Sequence, residues 1–355
     1  MQPLLPLHSQ VNTALRVLEV YAGQGTRKVC LQRFVSNDIL KCLKKQCPNL
    51  ESITLYVPSS KVDLSLLSRN LRVIDLRLPK FNQTGSSIGC LINDFAEEPF
   101  FYLRCLLLLG AEITKEFCLQ LSLSKYLYSL TLYECVFTTA IGDLDVLTRE
   151  LPALRNIDIA FCWFPSIEDL EIVLRSISLN LMNRVTTFGF HDPWIFGINP
   201  QPAICLNFDK FLKLLNKSNT LVNLHLSGIS GITPKVFSEF AKHHLNIESL
   251  HLTSCSQVSD ETVAIVAKNL PYLKELKLRG CRDITNNGLM SLARHPNLKK
   301  LDLSRISNLT EESIVVTVQS LPRITQLVLS LGHGYRGCID ELKSSKPQLL
   351  ISFTS

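Results

Sequence analysis

No stretch of this sequence is apolar for long enough to cross a membrane: runs such as Cys105 to Leu109 fall far short of the ~20 residues a helical span needs. The first ten residues carry no charged n-region, so they do not read as a secretory leader. There is no Lys/Arg run either. The 37 basic residues exceed the 31 acidic ones by only 6 and are scattered, so no nucleic-acid partner is expected. No C-x-x-C occurs, and Cys42 with Cys47 lacks a second pair, which argues against zinc. Nucleotide loops, metal-ligand clusters and nucleophile elbows are also missing. The expectation is a non-enzymatic protein without cofactor or metal. It is expected to be soluble and cytoplasmic, nuclear or both, and monomeric outside its complex.

What the sequence does hold is one phrase written five times between Thr220 and Leu329. Its copies open at Leu221, Ile247, Leu273, Leu298 and Ile324, with intervals of 26, 26, 25 and 26 residues. Each reads L-x-x-L-x-L, as in Ile247-Glu-Ser-Leu250-His-Leu252. Alternating Leu250 and Leu252 place a short strand with one core face and one open face. Ser259-Asp260-Glu261, Thr285-Asn286-Asn287 and Thr310-Glu311-Glu312 then look like helix starts, with a hydroxyl cap and early acids. Val263, Val266, Ala267 and Leu270 follow at helical spacing until Pro271 ends the helix. One strand and one helix cannot bury these faces alone, so copies must stack. The period and phrase are those of a leucine-rich repeat. The predicted fold is α/β: a solenoid curved into an arc, with parallel strands on the concave face and helices on the convex face.

Less regular copies occur at Leu15-Leu18-Val20, Leu50-Ile53-Leu55, Leu71-Ile74-Leu76, Leu103-Leu106-Leu108, Leu127-Leu130-Leu132, Leu154-Ile157-Ile159 and Val185-Phe188-Phe190, with a degenerate strand near Leu349 to Phe353. This predicts a lead-in over 1–14 and a repeat domain over 15–355 of twelve to thirteen repeats, most regular over 221–329. Spacings from 21 to 36 residues require convex elements of different lengths. Asn82 to Ser87 reads as a loop. Cys135, Cys162, Cys255 and Cys281 each fall nine positions into their repeat, a pattern of packing and not of disulfides. The sequons at Asn82, Asn216 and Asn308 are then chance matches.

The side chains between and just after the core positions form the expected floor of the arc: Tyr21, Tyr56, Arg77, Leu107, Leu109, Tyr133, Asp158, His191, His225, His251, Lys277, Arg279 and Arg305. Glu19, Asp75, Glu134, Asp158 and Asp192 make the early repeats acidic, while Lys277, Arg279, Lys300 and Arg305 make the late ones basic. His225 and His251 should stack about one strand spacing apart, roughly 5 Å. With no carboxylate or nucleophile in their column they read as a solvated ladder and not as catalysts. Residues 191–202 form a stiff Pro-rich loop in which Trp194 and Phe196 either bind a partner or fold back on the solenoid.

Residues Cys255 to Leu303, with L-x-x-L-x-L-x-x-C followed by Val258-Ser-Asp260 or Ile284-Thr-Asn286, resemble the cysteine-containing leucine-rich repeats of F-box proteins. Cys47-Pro-Asn-Leu50 is similar to the join between repeats in that family. The resemblance implies the substrate-recognition part of an SCF-type ubiquitin ligase receptor, with a protein substrate on the concave face. The F-box itself is not visible in the chain, so the SCF adaptor and cullin are expected partners only if one precedes it. The alternative is an F-box-less scaffold or inhibitor. A GTPase-activating protein is a weaker rival, since its repeats run to about 28 or 29 residues.

Overall fold

Within each repeat, two apolar side chains alternate with three that point away from the core, and this pattern sets the strands. The computed structural model describes residues 15–18, 20–32, 35–57, 63–78, 99–138, 147–181, 183–195, 219–331 and 336–354. Two compact units emerge, Met1–Ser176 with Trp194–Phe196, and Ile177–Pro193 with Gly197–Ser355.

In the first unit the strands are β1 (Lys28–Leu31), β2 (Ser52–Tyr56), β3 (Val73–Arg77), β4 (Cys105–Leu109), β5 (Glu112–Ile113), β6 (Ser129–Tyr133), β7 (Val136–Phe137), β8 (Asn156–Ala160) and β9 (Trp163–Phe164). The main sheet runs β1-β2-β3-β4-β6-β8. In the second unit β10 (Thr187–His191) leads the main sheet. Next in the chain, β11 (Trp194–Ile195) belongs to the first unit, where it closes a side sheet of order β11-β9-β7-β5. The second unit continues with β12 (Asn223–Ser227), β13 (Ser249–Thr253), β14 (Glu275–Lys277), β15 (Lys300–Asp302), β16 (Gln326–Ser330) and β17 (Leu350–Thr354), each parallel to the last.

Register carries the repeat into three dimensions. Leu224, Leu250, Leu276, Leu301, Leu327 and Ile351 are mutual partners in one row, and the first five of these are fully buried or nearly so. The ninth-position cysteines lie under the sheet edge, all inaccessible. Each thiol donates to the carbonyl of the last core leucine one repeat earlier: Cys135 to Leu108, Cys162 to Leu132, Cys255 to Leu226 and Cys281 to Leu252. Burial raises the thiol pKa of Cys162, Cys255 and Cys281, the last to about 12. Those three thiols are packed and protonated, not nucleophilic. Ten cysteines are free thiols among the described residues.

One regularity was not legible beforehand. Position eight, just past each strand, is left-handed in eight successive repeats: Gly110, Glu134, Phe161, Asp192, Gly228, Ser254, Gly280 and Arg305 all have φ between 37° and 74°. At Ser254, for instance, the amide extends the ladder by one bond, donating to the Arg279 carbonyl at 2.7 Å. Glycine takes this conformation freely, but the five other residues are held there against a cost of ~1 kcal/mol or more each.

The helices start as their sequences require. Ser36, Thr114, Ser166, Thr233 and Thr310 each accept an amide hydrogen bond from three residues on, while Thr285 accepts that of Asn287. The first helical residue then reaches the next repeat. Asn37 Oδ1 accepts the Asp63 amide, Asp260 the Thr285 amide and hydroxyl at 2.7 and 2.6 Å, Asn286 the Thr310 amide, and Glu311 the Cys338 amide. Gly288 is needed where this link passes, because a Cβ there would lie 2.9 Å from the Asp260 Cα and 2.3 Å from its Oδ1. Gly288→Ala should therefore destabilise by about 1 kcal/mol, overpacking outweighing the ~1 kcal/mol gain in helix propensity. A urea midpoint unchanged or raised would show that the helix can shift to make room.

Convex elements do vary in length, from the 3-10 turn Leu64–Leu66 in the 21-residue repeat to the helix Ile167–Asn180. One assignment needs correcting. Leu15-Leu18-Val20 is not a strand: residues 15–18 and 20–21 are helical, and Tyr21, expected on the floor of the sheet, ends that segment 82% exposed. Leu15 and Leu18 are three apart, which suits a helix as well as the phrase. The first strand is β1 instead, disguised because Thr26 occupies the place where the phrase opens with leucine. Asn82 to Ser87, Asn216 and Phe196 lie outside the described residues.

Candidate partner-binding surface

The outward faces of the two units differ in chemistry. In the second unit, partners His225 on β12 and His251 on β13 stack face to face, with centroids 3.8 Å apart and planes 8° apart. Ser249 Oγ lies 3.2 Å from the Nε2 of each ring. Glu275 Oε1 lies 3.1 Å from His251 Nε2, and the same carboxylate pairs with Lys277 at 3.2 Å and Lys300 at 3.4 Å. Burial, then the neighbouring His225 and Lys277, push the His251 imidazole down to about 3 despite the pull of Glu275. Burial pushes the Glu275 carboxyl up, but Lys277, His251 and Lys300 outweigh it and hold it below the usual range.

This corrects the solvated-ladder expectation. The His251 side chain is only 15% exposed, and a carboxylate is present, contributed by the column next to its own. The group is nevertheless no catalytic relay. Ser249 and Glu275 meet the same ring nitrogen, whereas activating a hydroxyl needs the acid on the other one. Among the described residues no group of three His, Cys, Asp or Glu is arranged to hold a metal ion.

In the first unit the outward face carries an apolar and aromatic strip. Val73 pairs with Cys105, Asp75 with Leu107, Arg77 with Leu109, and Leu109 with Tyr133. Cys105, Leu107, Leu109 and Tyr133 are all partly exposed. Such residues on a sheet's open face are unusual unless something covers them. Arg77 closes one end: it forms a two-point ion pair with Asp75 at 2.9 and 3.0 Å, donates to Tyr56 Oη at 2.6 Å, and sits 4.8 Å over the Tyr56 ring. At the other end Tyr133 meets Phe161 edge to face, centroids 5.2 Å apart.

Of the remaining expected residues, Asp158 stands mid-strand on β8 and His191 ends β10, both partly exposed. Arg279 and Arg305 occupy the turns after β14 and β15. Trp194 lies on β11 of the side sheet, opposite Trp163 of β9, with ring centroids 5.2 Å apart. Trp163 and Phe161 were missed from sequence. They fall at positions ten and eight, beyond the strand whose alternation was followed.

Parallel strands repeated in register, with capped helices between them and a buried ninth-position side chain, decide the architecture. The fold is a leucine-rich-repeat solenoid. No family model and no curated protein matches the sequence. Solved structures do match. Yeast Rad7, in its complex with Elc1, is 13% identical with a TM-score of 0.51, over 99% of this chain and 85% of that one. TLR13 in its complex with ssRNA13 is 16% identical with a TM-score of 0.51, over 96% of this chain and 47% of that one. The leucine-rich-repeat protein LIC12759 of Leptospira interrogans is 15% identical with a TM-score of 0.40, over 92% and 89%. At these identities the likeness is one of fold.

Proposed function

We propose that this leucine-rich-repeat chain binds a protein partner on the open face of its sheet, as the substrate-recognition part of an SCF-type ubiquitin ligase receptor. The observation that carries the binding half is the partly exposed strip Cys105, Leu107, Leu109 and Tyr133 on strands whose other faces are closed core. Rigid aromatic and aliphatic groups at fixed strand positions bury area at little entropic cost, and a few such residues usually dominate an interface. Rad7, with the same fold, is solved with a second protein, Elc1. The ligase half rests on the resemblance of the Cys255 to Leu303 repeats to those of F-box proteins.

Tagged chain recovered from its native cells tests both halves. Leu107→Glu with Leu109→Glu should lose a partner that the wild type and the helix-face variants Glu261→Lys and Glu312→Lys retain. Equal retention by every folded variant would exclude the strip. SCF adaptor should be recovered only with a form carrying an F-box in frame upstream. A partner bound by a form with no such segment would make the protein a scaffold or inhibitor instead.

A further inference from the structure

Among the described residues the outermost strand of the second unit, β17, hydrogen-bonds on one side only, to β16. Leu350 N donates to the Thr325 carbonyl, and the Thr354 carbonyl accepts from Leu331 N, both at 2.9 Å. In a parallel ladder alternate residues turn to the same neighbour. Leu350, Ser352 and Thr354 therefore face β16, and the amides and carbonyls of Ile351 and Phe353 point out along the free edge. The side chains of this edge are left open as well. Ile351 and Phe353 continue the rows of Leu327 and Leu329, which are at most 1% exposed, yet Ile351 is half-buried and Phe353 is 40% exposed. On the outward face Leu350 is 70% exposed. An edge strand that meets water usually carries a lysine, a proline or a bulge, and the end of a solenoid a polar face. Leu-Ile-Ser-Phe-Thr has none of these.

We infer that β17 pairs antiparallel with β17 of a second copy of this chain, about a two-fold axis through Ser352. The strand is complementary to itself in that register. Ile351 then stands opposite Phe353 of the second copy, Phe353 opposite its Ile351, and each such pair exchanges both backbone hydrogen bonds. Every amide and carbonyl that β16 leaves open on this edge is satisfied. An aromatic residue opposite a β-branched one is also a favourable cross-strand pair. The axis is perpendicular to the sheet, so the Ile351 and Phe353 side chains of both copies fall on the core face and close the two open ends on each other. Small Ser352 meets itself on the outward face, at the kind of pair where opposed Cα atoms lie closest. The contact is isologous and stops at two chains. It is also small, of the transient kind, so the dimer forms as concentration rises, in place of the monomer expected from sequence. A partner with two matching segments would then engage two open faces at once.

Sedimentation equilibrium of the full chain should show a monomer that becomes a dimer, and nothing larger, as concentration rises. Phe353→Lys sets an ammonium against Ile351 of the second copy and should raise the dissociation constant at least about tenfold, with the circular dichroism spectrum unchanged. Cysteine pairs read the register without relying on that variant. The two-fold axis brings the two Ser352 Cα atoms to about 4.5 Å, within disulfide reach, whereas Leu350 lies about 14 Å from its own copy. Under mild oxidation Ser352→Cys should form a covalent dimer and Leu350→Cys none beyond the wild-type background. A chain that stays monomeric at its highest soluble concentration would overturn the inference. Equal cross-linking of the two cysteine variants, or a dimer that a folded Phe353→Lys chain keeps at full strength, would do the same. Assemblies that grow past two chains would also overturn it, since they require head-to-tail stacking of β17 on a different edge.

Discussion

Leu250→Ala should destabilise the second unit by about 2 to 5 kcal/mol, whereas Leu331→Ala should change stability by less than about 0.5 kcal/mol. Leu250 is inaccessible on β13, between Leu224 and Leu276 in the core row, while Leu331 is 66% exposed. The deletion leaves a cavity shared with both neighbouring repeats, and neither strand can move in to fill it without losing its register. In a solenoid each repeat is stabilised mainly by its neighbours, so weakening one copy in the middle also weakens the coupling across it. Urea unfolding followed by circular dichroism gives the two differences directly. Similar small losses from both substitutions would mean that the Leu224–Leu250–Leu276 row is not a packed core.

The second large effect is a loss of stability on mild acidification that His251→Gln removes. Burial beside His225 and Lys277 lowers the His251 imidazole from its ordinary value of about 6.5 to about 3, in spite of Glu275. The unfolded chain therefore takes up a proton, as pH falls through about 6.5, that the folded chain refuses until about 3. The stability this neutral histidine allows is complete above that window and is lost progressively within it. Between pH 7 and pH 5 the loss is about 2 kcal/mol. His295 is also lowered by burial and acts in the same direction, so the relevant quantity is the difference between wild type and variant. Urea midpoints at the two pH values measure it. Parallel pH profiles for the two proteins would show that His251 titrates normally in the folded state.

Much of the fold was legible because the repeat states its geometry twice, once in the alternation of core leucines and once in the caps. The five regular phrases each became a strand, and the degenerate Leu349 to Phe353 stretch became β17. The failure at Leu15 has a plain cause: the spacing of three between Leu15 and Leu18 suits a helix as well as the phrase. The surface was less legible. Period-two alternation identifies which residues face outward on one strand, so Tyr56, Arg77, Leu107, Leu109 and Tyr133 came from sequence. It says nothing of which residue from the next column leans over, so Glu275 was missed beside His251. The side sheet begins beyond the phrase, so Trp163 was not paired with Trp194. The left-handed row was hidden because only three of its eight members are glycine.

Hydroxyl-radical footprinting of the chain with and without its captured partner tests most directly whether the open face of the sheet is where a protein binds. Leu107, Leu109, Tyr133, Trp163 and Trp194 should be protected from oxidation in the complex. Tyr126, Tyr272 and Val316, exposed away from the strands, should react as in the free chain. Protection of the second group with the first unchanged would contradict the account, placing the partner off the strand face altogether.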